Sequence, residues 1–192
     1  MKTLLLTGGI GSGKSAVASI LRGKGIPVYD SDSAVKCLYT PWRIRRIEKM
    51  LGVKVHSRGG TLDSKALASV VFKDSDSLGK LESYIYPSLL RDFRQWRKAN
   101  EAPVVVFESA IALSKPQFDG LWDGVILVTA PEELRLSRAA ARDKVSIETV
   151  RKRAELQEIP ASADFVIIND CSTLEELEAR VESDLLKKID YL

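Results

Sequence analysis

The sequence has few of the side chains on which many metal sites and nucleophilic sites depend. Its 192 residues include one histidine, His56, and two cysteines, Cys37 and Cys171. The cysteines lie far apart and lack C-x-x-C spacing, so we expect neither a zinc site nor a disulfide framework. His56 lies in a loop-like stretch and is expected to be exposed. No arrangement of serine, cysteine and histidine suggests a nucleophilic triad. This composition fits a reducing compartment.

Long hydrophobic runs and a strong charge of one sign are also missing. The longest apolar runs, such as residues 104–107, are too short to span a bilayer. The apolar residues after Lys2 lead into a glycine-rich loop and not into a signal-peptide cleavage site. The formal net charge is +3, and the basic residues form no stripe interleaved with aromatic residues. We therefore expect no membrane segment, no nucleic-acid partner and a cytoplasmic location.

A glycine-rich loop follows the first apolar run, at residues 8–15, with the sequence Gly-Gly-Ile-Gly-Ser-Gly-Lys-Ser. It matches the phosphate-binding pattern G-x-x-x-x-G-K-[ST] completely, between a predicted buried strand and a predicted helix. A curl of backbone N–H groups that ends at a helix N-terminus binds anions, and glycines allow that curl to form. We expect Lys14 to reach the β- and γ-phosphates of a nucleotide and the Ser15 hydroxyl to ligate Mg²⁺. The nucleotide-binding residues predicted at and after this loop are Gly9, Gly11, Ser12, Gly13, Lys14, Ser15 and Ala16.

Strands and helices alternate along most of the chain. Apolar runs predict further strands near residues 26–29, 104–107, 124–128 and 164–168, and helical patterns separate them. This alternation predicts an α/β fold with a parallel sheet and helices on both faces, in a single domain spanning residues 1–192. Residues 61–100 are helical in pattern and predict a lobe inserted between the second and third strands.

Several side chains are expected to begin or interrupt helices. Asp63, and either Asp74 or Ser75, can cap helices of the inserted lobe, and Ser172 or Thr173 can cap the last helix. Pro87 lies inside the longest helical pattern and predicts a kink or a break there.

Acidic residues follow two of the predicted strands, where open α/β sheets bind their ligands. Asp30 and Asp32 follow the second strand, and Glu108 ends the third. Asp32 could accept or orient the proton of an acceptor hydroxyl, with Asp30 as the competitor for that role, or both could simply cap the next helix. Glu108 could lie near Mg²⁺ or its waters, or could be a solvated acid at a strand end.

Two arginines, Arg138 and Arg142, are spaced to share one helix face. Either could close over a triphosphate from a mobile lid of about residues 138–158 and stabilise developing charge, or the pair could be a surface face. The guanine-reading pattern N-K-x-D is absent from the sequence, and no D-x-x-G follows a strand. These patterns favour a small-molecule kinase over a GTPase.

The sequence resembles the dephospho-coenzyme A kinases. Residues 7–15 resemble that family's opening phosphate loop almost letter for letter, and Asp30-Ser31-Asp32 resembles its Asp-x-Asp after the second strand. Residues 81–87 are similar to its Leu-Glu-x-Ile-x-His-Pro stretch, and residues 106–109 to its strand that ends in an acid. Residues 138–143, with the later Arg153 and Gln157, resemble its lid motif. The resemblance spans nearly the whole chain.

The resemblance implies ATP-dependent phosphorylation of the ribose 3′-hydroxyl of dephospho-coenzyme A, the last step of coenzyme A synthesis, with Mg²⁺. It implies an adenylate-kinase-like P-loop fold of strand order 2-3-1-4-5, with a helical acceptor lobe and an arginine lid. Asp32 is then the base, with Lys14, Arg138 and Arg142 as further catalytic residues. The acceptor side would include Tyr86, Pro87 and Glu108, and Asn169 would lie near the adenine.

Three positions depart from the family pattern. Tyr86 stands where the family usually has histidine, Ala16 replaces a threonine, and the turn at Asn169-Asp170 lacks its following glycine. Two rival hypotheses remain: a kinase for another small acceptor, such as a nucleoside monophosphate, and a non-catalytic ATP-binding regulatory module. We expect a monomer or a weak homo-oligomer.

Overall fold

The computed structural model describes residues 1–189, which form two compact units. One unit comprises residues 1–30 and the chain from residue 100 onward, and the other comprises residues 31–99. We call them the sheet unit and the helical unit. The helical unit is the predicted inserted lobe, but it begins about thirty residues earlier than the lobe expected from the sequence.

The sheet unit contains one five-stranded parallel sheet. Its strands are β1 (Lys2–Thr7), β2 (Val28–Asp30), β3 (Val104–Glu108), β4 (Gly124–Thr129) and β5 (Phe165–Ile168). Their order is β2-β3-β1-β4-β5, which confirms the predicted order. In the register of the sheet, Asp30 and Glu108 are neighbours at the carboxyl ends of β2 and β3. The carboxyl ends of parallel strands therefore bring the predicted acids to one edge.

Helices separate the strands, as the sequence pattern predicts. Those of the sheet unit are α1 (Lys14–Gly23), α6 (Glu132–Asp143), α7 (Ile147–Glu155), α8 (Leu174–Val181), which continues through a π-helical turn at Glu182–Leu186, and α9 (Lys187–Ile189). Those of the helical unit are α2 (Ser31–Leu38), α3 (Pro41–Leu51), α4 (Ser64–Val71) and α5 (Ser75–Lys98). Short 3₁₀ turns occupy Ala112–Ser114 and Pro116–Phe118. Within residues 1–189, none of these helices combines the length and apolar composition that a membrane crossing needs.

Both faces of the central strands are buried, which explains their uninterrupted apolar sequences. On one face, Leu4 and Leu6 of β1 pack in a cluster with Val17 of α1 and Val181 of α8. Elsewhere Phe107 of β3, which is fully buried, stacks on Tyr29 with ring centroids 5.5 Å apart and contacts Phe118 and Trp122. The packed centre fixes where each strand ends, and so where the polar residues that follow the strands lie.

The break that the sequence predicts at Pro87 is absent, because α5 runs as a single helix through that position. Pro87 is exposed and removes only its own backbone donor. The opposite stripe of α5, with Leu81, Ile85, Leu89 and Phe93, is buried. The free energy gained by burying this stripe outweighs the tendency of proline to interrupt a helix.

The loop after α3 also differs from expectation, because His56 is half-buried and bonded. Its Nδ1 lies 2.6 Å from Glu48 Oε1, which also accepts hydrogen bonds from the backbone N–H groups of Val55 and His56. These contacts, with the Val55 N–H as the largest cause, lower the pKa of Glu48. Glu48 of α3 therefore holds the loop that follows, and the expectation that His56 is exposed is wrong.

Helix caps agree with the sequence. Asp63 caps α4, and Asp74, not Ser75, caps α5. Thr173 caps α8 in a capping box: its hydroxyl accepts from the Glu176 N–H, and the Glu176 carboxylate accepts from the Thr173 and Ser172 N–H groups.

Replacing the capping hydroxyl of α8 should destabilise the sheet unit, because α8 covers β1 and β5. We expect Thr173→Ala to lower the free energy of unfolding by about 1 kcal/mol, the usual loss for a capping threonine. Urea unfolding followed by circular dichroism measures it. Ser172→Ala is the matched control, since its hydroxyl caps nothing. Equal stability of the two variants would contradict the assignment of the cap.

Candidate active site

The P-loop, residues 8–13, joins β1 to α1 in a conformation that requires glycine. Gly11 and Gly13 have φ angles of 74° and 91°, in the left-handed region. A Cβ at Gly11 would overlap the backbone carbonyl of Arg135, and a Cβ at Gly13 would overlap the Asn169 side chain. Two separate neighbours therefore press on the loop, and both positions exclude side chains.

The loop delivers its backbone to the N-terminus of α1. Helical hydrogen bonding begins where the Ala16 N–H donates to the Gly13 carbonyl at 2.9 Å. The amides of Lys14 and Ser15 precede that bond, and the first turn of α1 contains no acidic residue. Amide donors and the positive end of the helix dipole therefore favour an anion there.

Lys14, Ser15 and Glu108 converge beside this helix terminus. Lys14 Nζ donates to Glu108 Oε1 at 3.0 Å, and Ser15 Oγ donates to the same oxygen at 3.1 Å. Arg22 Nη2 lies 3.7 Å from the other carboxylate oxygen, and Glu108 is only 6% exposed. The buried carboxylate at the end of β3 is thus surrounded by cations. Of the two sequence hypotheses for Glu108, the structure rejects a solvated strand-end acid.

A hydroxyl and a carboxylate beside phosphate-binding amides fit Mg²⁺. This ion keeps several waters and is usually held by one or two protein oxygens together with substrate phosphates. Ser15 Oγ and the Glu108 carboxylate supply those oxygens. Within residues 1–189 there is no cluster of three or more histidine, cysteine, aspartate or glutamate side chains that could hold a metal ion without such phosphates.

Asn169 and Arg138 connect the loop after β5 to the P-loop and to α6. Asn169 is buried, and its Nδ2 donates to the Ser12 carbonyl at 2.8 Å. The Arg138 guanidinium donates to the carbonyls of Asn169 and Cys171, both at 2.9 Å. In this structure Arg138 therefore orders the loop that carries Asn169.

Arg142 shares the helix with Arg138 but has different partners. Its Nε and Nη2 donate to the two carboxylate oxygens of Asp143 at 2.8 and 3.2 Å, and Arg153 Nη1 lies 3.3 Å from the same carboxylate. The Arg142 hydrogen bonds lower the pKa of Asp143 and raise that of Arg142. The predicted lid is thus a pair of helices, α6 and α7, joined by ion pairs at the surface.

Sequence reasoning missed one residue at the P-loop, Arg135, and gave Gln157 no role. Gln157 Oε1 accepts from the Ile10 N–H at 2.7 Å. The Arg135 side chain lies against Gly9, and its Nε donates to the Ala130 carbonyl at 3.1 Å. Their contacts span long stretches of chain, so no local pattern could have revealed them.

In the helical unit, Asp32 and Tyr86 belong to one polar cluster. Asp32 lies in the first turn of α2. Tyr86 is 7% exposed, and its hydroxyl donates to Glu82 Oε1 at 3.1 Å. Burial is the largest cause that raises the pKa of Tyr86, followed by the charge of Glu82, with smaller contributions from Tyr39 and Asp32. Tyr86 is therefore a neutral hydrogen-bonding group at physiological pH, and Pro87 lies exposed beside it.

A complete P-loop at the edge of a parallel sheet of this strand order, with a lysine, a serine and a buried acid at the helix terminus, defines a P-loop kinase. A family model described as dephospho-CoA kinase matches residues 3–175. The chain belongs to the dephospho-CoA kinase family.

Individual relatives agree with this assignment. A dephospho-CoA kinase of Porphyromonas gingivalis is 42% identical over 176 residues, which cover 88% of this chain and 86% of that protein. A crystal structure of a Thermus thermophilus protein, TT1252, is 34% identical with a TM-score of 0.84, and the match covers 98% of this chain and 97% of that one. A dephospho-CoA kinase from Campylobacter jejuni, 22% identical over 98% of this chain and 97% of that one, shares the fold with a TM-score of 0.60.

Because the pKa of Tyr86 is raised, we predict that Tyr86 affects how the free energy of unfolding changes at alkaline pH. The folded state favours the neutral phenol, so the stability that Tyr86 contributes is complete below its ordinary pKa of about 10 and is lost as pH rises through the folded pKa. Tyr86→Phe cannot ionise, and we expect its free energy of unfolding to fall less steeply above pH ~10. Denaturant titrations of both proteins between pH 8 and 11 test this. Loss of the Glu82 bond alone would shift the whole profile of Tyr86→Phe by a constant amount. Profiles that differ only by such a constant would therefore contradict the prediction.

Proposed function

We propose that the protein transfers the γ-phosphoryl group of ATP to the ribose 3′-hydroxyl of dephospho-coenzyme A, which yields coenzyme A and ADP. The observation that carries the proposal is the convergence of Lys14, Ser15 and Glu108 at the N-terminus of α1, in a chain of the dephospho-CoA kinase family. Phosphoryl transfer needs in-line positioning and positive charge more than covalent catalysis. The P-loop supplies both for a nucleotide.

On the nucleotide side, the amides around Gly13, Lys14 and Ser15 receive the phosphates, and Lys14 exchanges the Glu108 carboxylate for a phosphate oxygen. Ser15 Oγ, and Glu108 through water, would hold Mg²⁺. When bound, the ion would offset the negative charge of the phosphates. Gly9, Gly11 and Ser12 shape the loop. Asn169 donates to the Ser12 carbonyl, and we assign Asn169 and Ala16 to the nucleoside side of the site.

On the acceptor side, we assign Asp32 as the base. As the 3′-oxygen bonds to the γ-phosphorus, the bond from that phosphorus to the bridging oxygen of ATP breaks and Asp32 accepts the hydroxyl proton. Tyr86 and Pro87 contribute to the acceptor surface of the helical unit. The Tyr86 hydroxyl donates to Glu82 Oε1, which fixes the direction of the hydroxyl.

The two lid arginines differ in the bonds that each would lose if it turned to bind a phosphate. Arg138 donates to two part-buried carbonyls and orders the Asn169 loop, so its release would leave those acceptors unpaired. Arg142 is held by an exposed carboxylate, and surface ion pairs of this kind contribute little to stability. We therefore assign Arg142 to the transferred phosphate. Arg138 is assigned to holding the loop that carries Asn169, near the adenine. A cytoplasmic monomer or weak oligomer fits an enzyme whose two cysteines, Cys37 and Cys171, are free.

The direct test is turnover of purified protein with Mg·ATP across a panel of acceptors. We expect ADP release and coenzyme A formation with dephospho-coenzyme A, and no comparable rate with nucleoside monophosphates. Mass spectrometry of the product gives the site of phosphorylation. Turnover of a nucleotide but not of dephospho-coenzyme A would support the rival kinase, and ATP binding with no phosphate transfer would support a regulatory module.

Removal of the proposed base should abolish turnover but not nucleotide binding. We expect Asp32→Asn to reduce kcat by about 100-fold or more, the usual contribution of general base catalysis, with an unchanged Kd for ATP. Single-turnover kinetics and calorimetry measure the two quantities. Asp30→Asn is the matched control, because Asp30 is the other acid of the triplet. A larger loss in that variant would move the role to Asp30.

A further inference from the structure

The outer side of the P-loop is held by the lid segment. The Ile10 N–H, in the leading half of the loop, donates to Gln157 Oε1 at 2.7 Å. Gln157 follows the end of α7, and residues 157–160 continue along Thr7–Gly9. The crevice between the two segments has no room for a water molecule. This contact is therefore a packed one and not an open approach.

Arg135 reaches the same part of the loop from α6. A Cβ at Gly9 would lie 2.7 Å from Arg135 Nη1 and 2.9 Å from Ile159 Cδ1, so both side chains touch the loop there. Arg135 Nη1 is buried and has no hydrogen-bond partner within residues 1–189. A buried, unpaired nitrogen of a cation costs stability and calls for a reason. The negative charge of phosphates bound at the P-loop would supply that reason.

The bond from Ile10 to Gln157 does not compete with phosphate. In the leading half of the loop, the Ile10 amide donates to Gln157 and the Ser12 amide donates to the Gly9 carbonyl at 3.1 Å. The amides of Lys14 and Ser15 at the start of α1 precede the first helical bond and are the ones that face an anion. The amide that Gln157 holds is therefore distinct from the two amides at the helix terminus.

We propose that Arg135 and Gln157 are positioning residues, which hold the leading half of the P-loop in its phosphate-binding shape and make nucleotide affinity depend on the segment 157–160. Gln157 fixes the direction of the Ile10 peptide. Arg135 packs against Gly9 and adds a positive charge behind the loop. The inference rests on the proposed function only in taking ATP as the ligand of the loop.

Equilibrium binding of a non-hydrolysable ATP analogue with Mg²⁺, without acceptor, tests the role of Gln157. Gln157→Met keeps the length of the side chain and removes the acceptor. We expect the Kd to rise about fivefold, as for the loss of one neutral hydrogen bond. The matched control is Gln117→Met, at an exposed site in a 3₁₀ turn. In steady-state assays, the KM for ATP should rise while the KM for the acceptor stays unchanged.

A conservative variant separates this role from a merely structural one. Gln157→Glu retains an acceptor oxygen for the Ile10 N–H and adds a negative charge near the nucleotide. We expect its ATP affinity to approach that of the wild type as salt screens the charge, whereas the Gln157→Met defect persists at high salt. Equal defects of both variants at high salt would overturn the assignment, as would wild-type affinity of Gln157→Met.

Arg135→Gln tests the second residue. We expect weaker binding of the analogue, with a difference from the wild type that shrinks as salt concentration rises, because a charge has been removed. Arg151→Gln is the control in the same lid, since Arg151 pairs with Glu132 at the surface. The double variant with Gln157→Met should lose less affinity than the sum of the single losses, because both residues hold one segment. Unchanged affinity of Arg135→Gln, or strict additivity, would overturn the joint role.

The binding assay keeps this inference separate from the choice of acceptor. If dephospho-coenzyme A is not phosphorylated but both variants weaken analogue binding, the proposed function fails and the role of Arg135 and Gln157 stands. If turnover is normal and analogue affinity is unaffected in both variants, the positioning role fails and the proposed function stands. Thermal unfolding of each variant, alone and with the analogue, detects a loss that reflects misfolding.

Discussion

A buried carboxylate shared by two donors is the interaction on which the sheet unit depends for its chemistry. Glu108 Oε1 accepts from both Lys14 and Ser15, and this ties the end of β3 to the start of α1. A buried carboxylate without partners would be costly, so its environment must contain cations. The same cations are those that a polyphosphate requires. Under the proposed function, the cations that now pair with Glu108 would pair with phosphate when the nucleotide binds.

The P-loop is equally constrained from outside. Asn169 presses on Gly13, the Arg135 backbone presses on Gly11, and the Arg135 side chain touches Gly9. These contacts come from two residues far along the chain, Asn169 after β5 and Arg135 in α6, so β5 and α6 shape the loop as much as its own glycines do. This explains why a loop of flexible residues can present ordered amides: its freedom is removed by packing on the side away from the ligand.

Local chemistry predicted much of this molecule, and distant contacts account for what it could not. The P-loop, the strand order and the caps at Asp63, Asp74 and Thr173 follow from short patterns or from family likeness. The break expected at Pro87 is absent, because burial of the apolar stripe of α5 outweighs the local cost of proline in a helix. His56 was expected to be exposed but is half-buried, because Glu48 of α3 binds its loop. Arg135 has no local signature at all.

The charges of the sheet unit also bear on the lid. At the N-terminus of α1, Lys14 and Arg22 face the single carboxylate of Glu108, whereas a triphosphate carries several negative charges. Under the proposed function, Mg²⁺ and the lid would supply further positive charge. Arg138 has two carbonyl partners that no other described donor replaces, whereas Arg142 and Arg153 share the single carboxylate of Asp143. Two cations on the one carboxylate of Asp143 leave a surplus of positive charge. Under the proposed function, this ion-pair cluster of α6 and α7 is the part of the lid that would bind phosphate at little cost in stability.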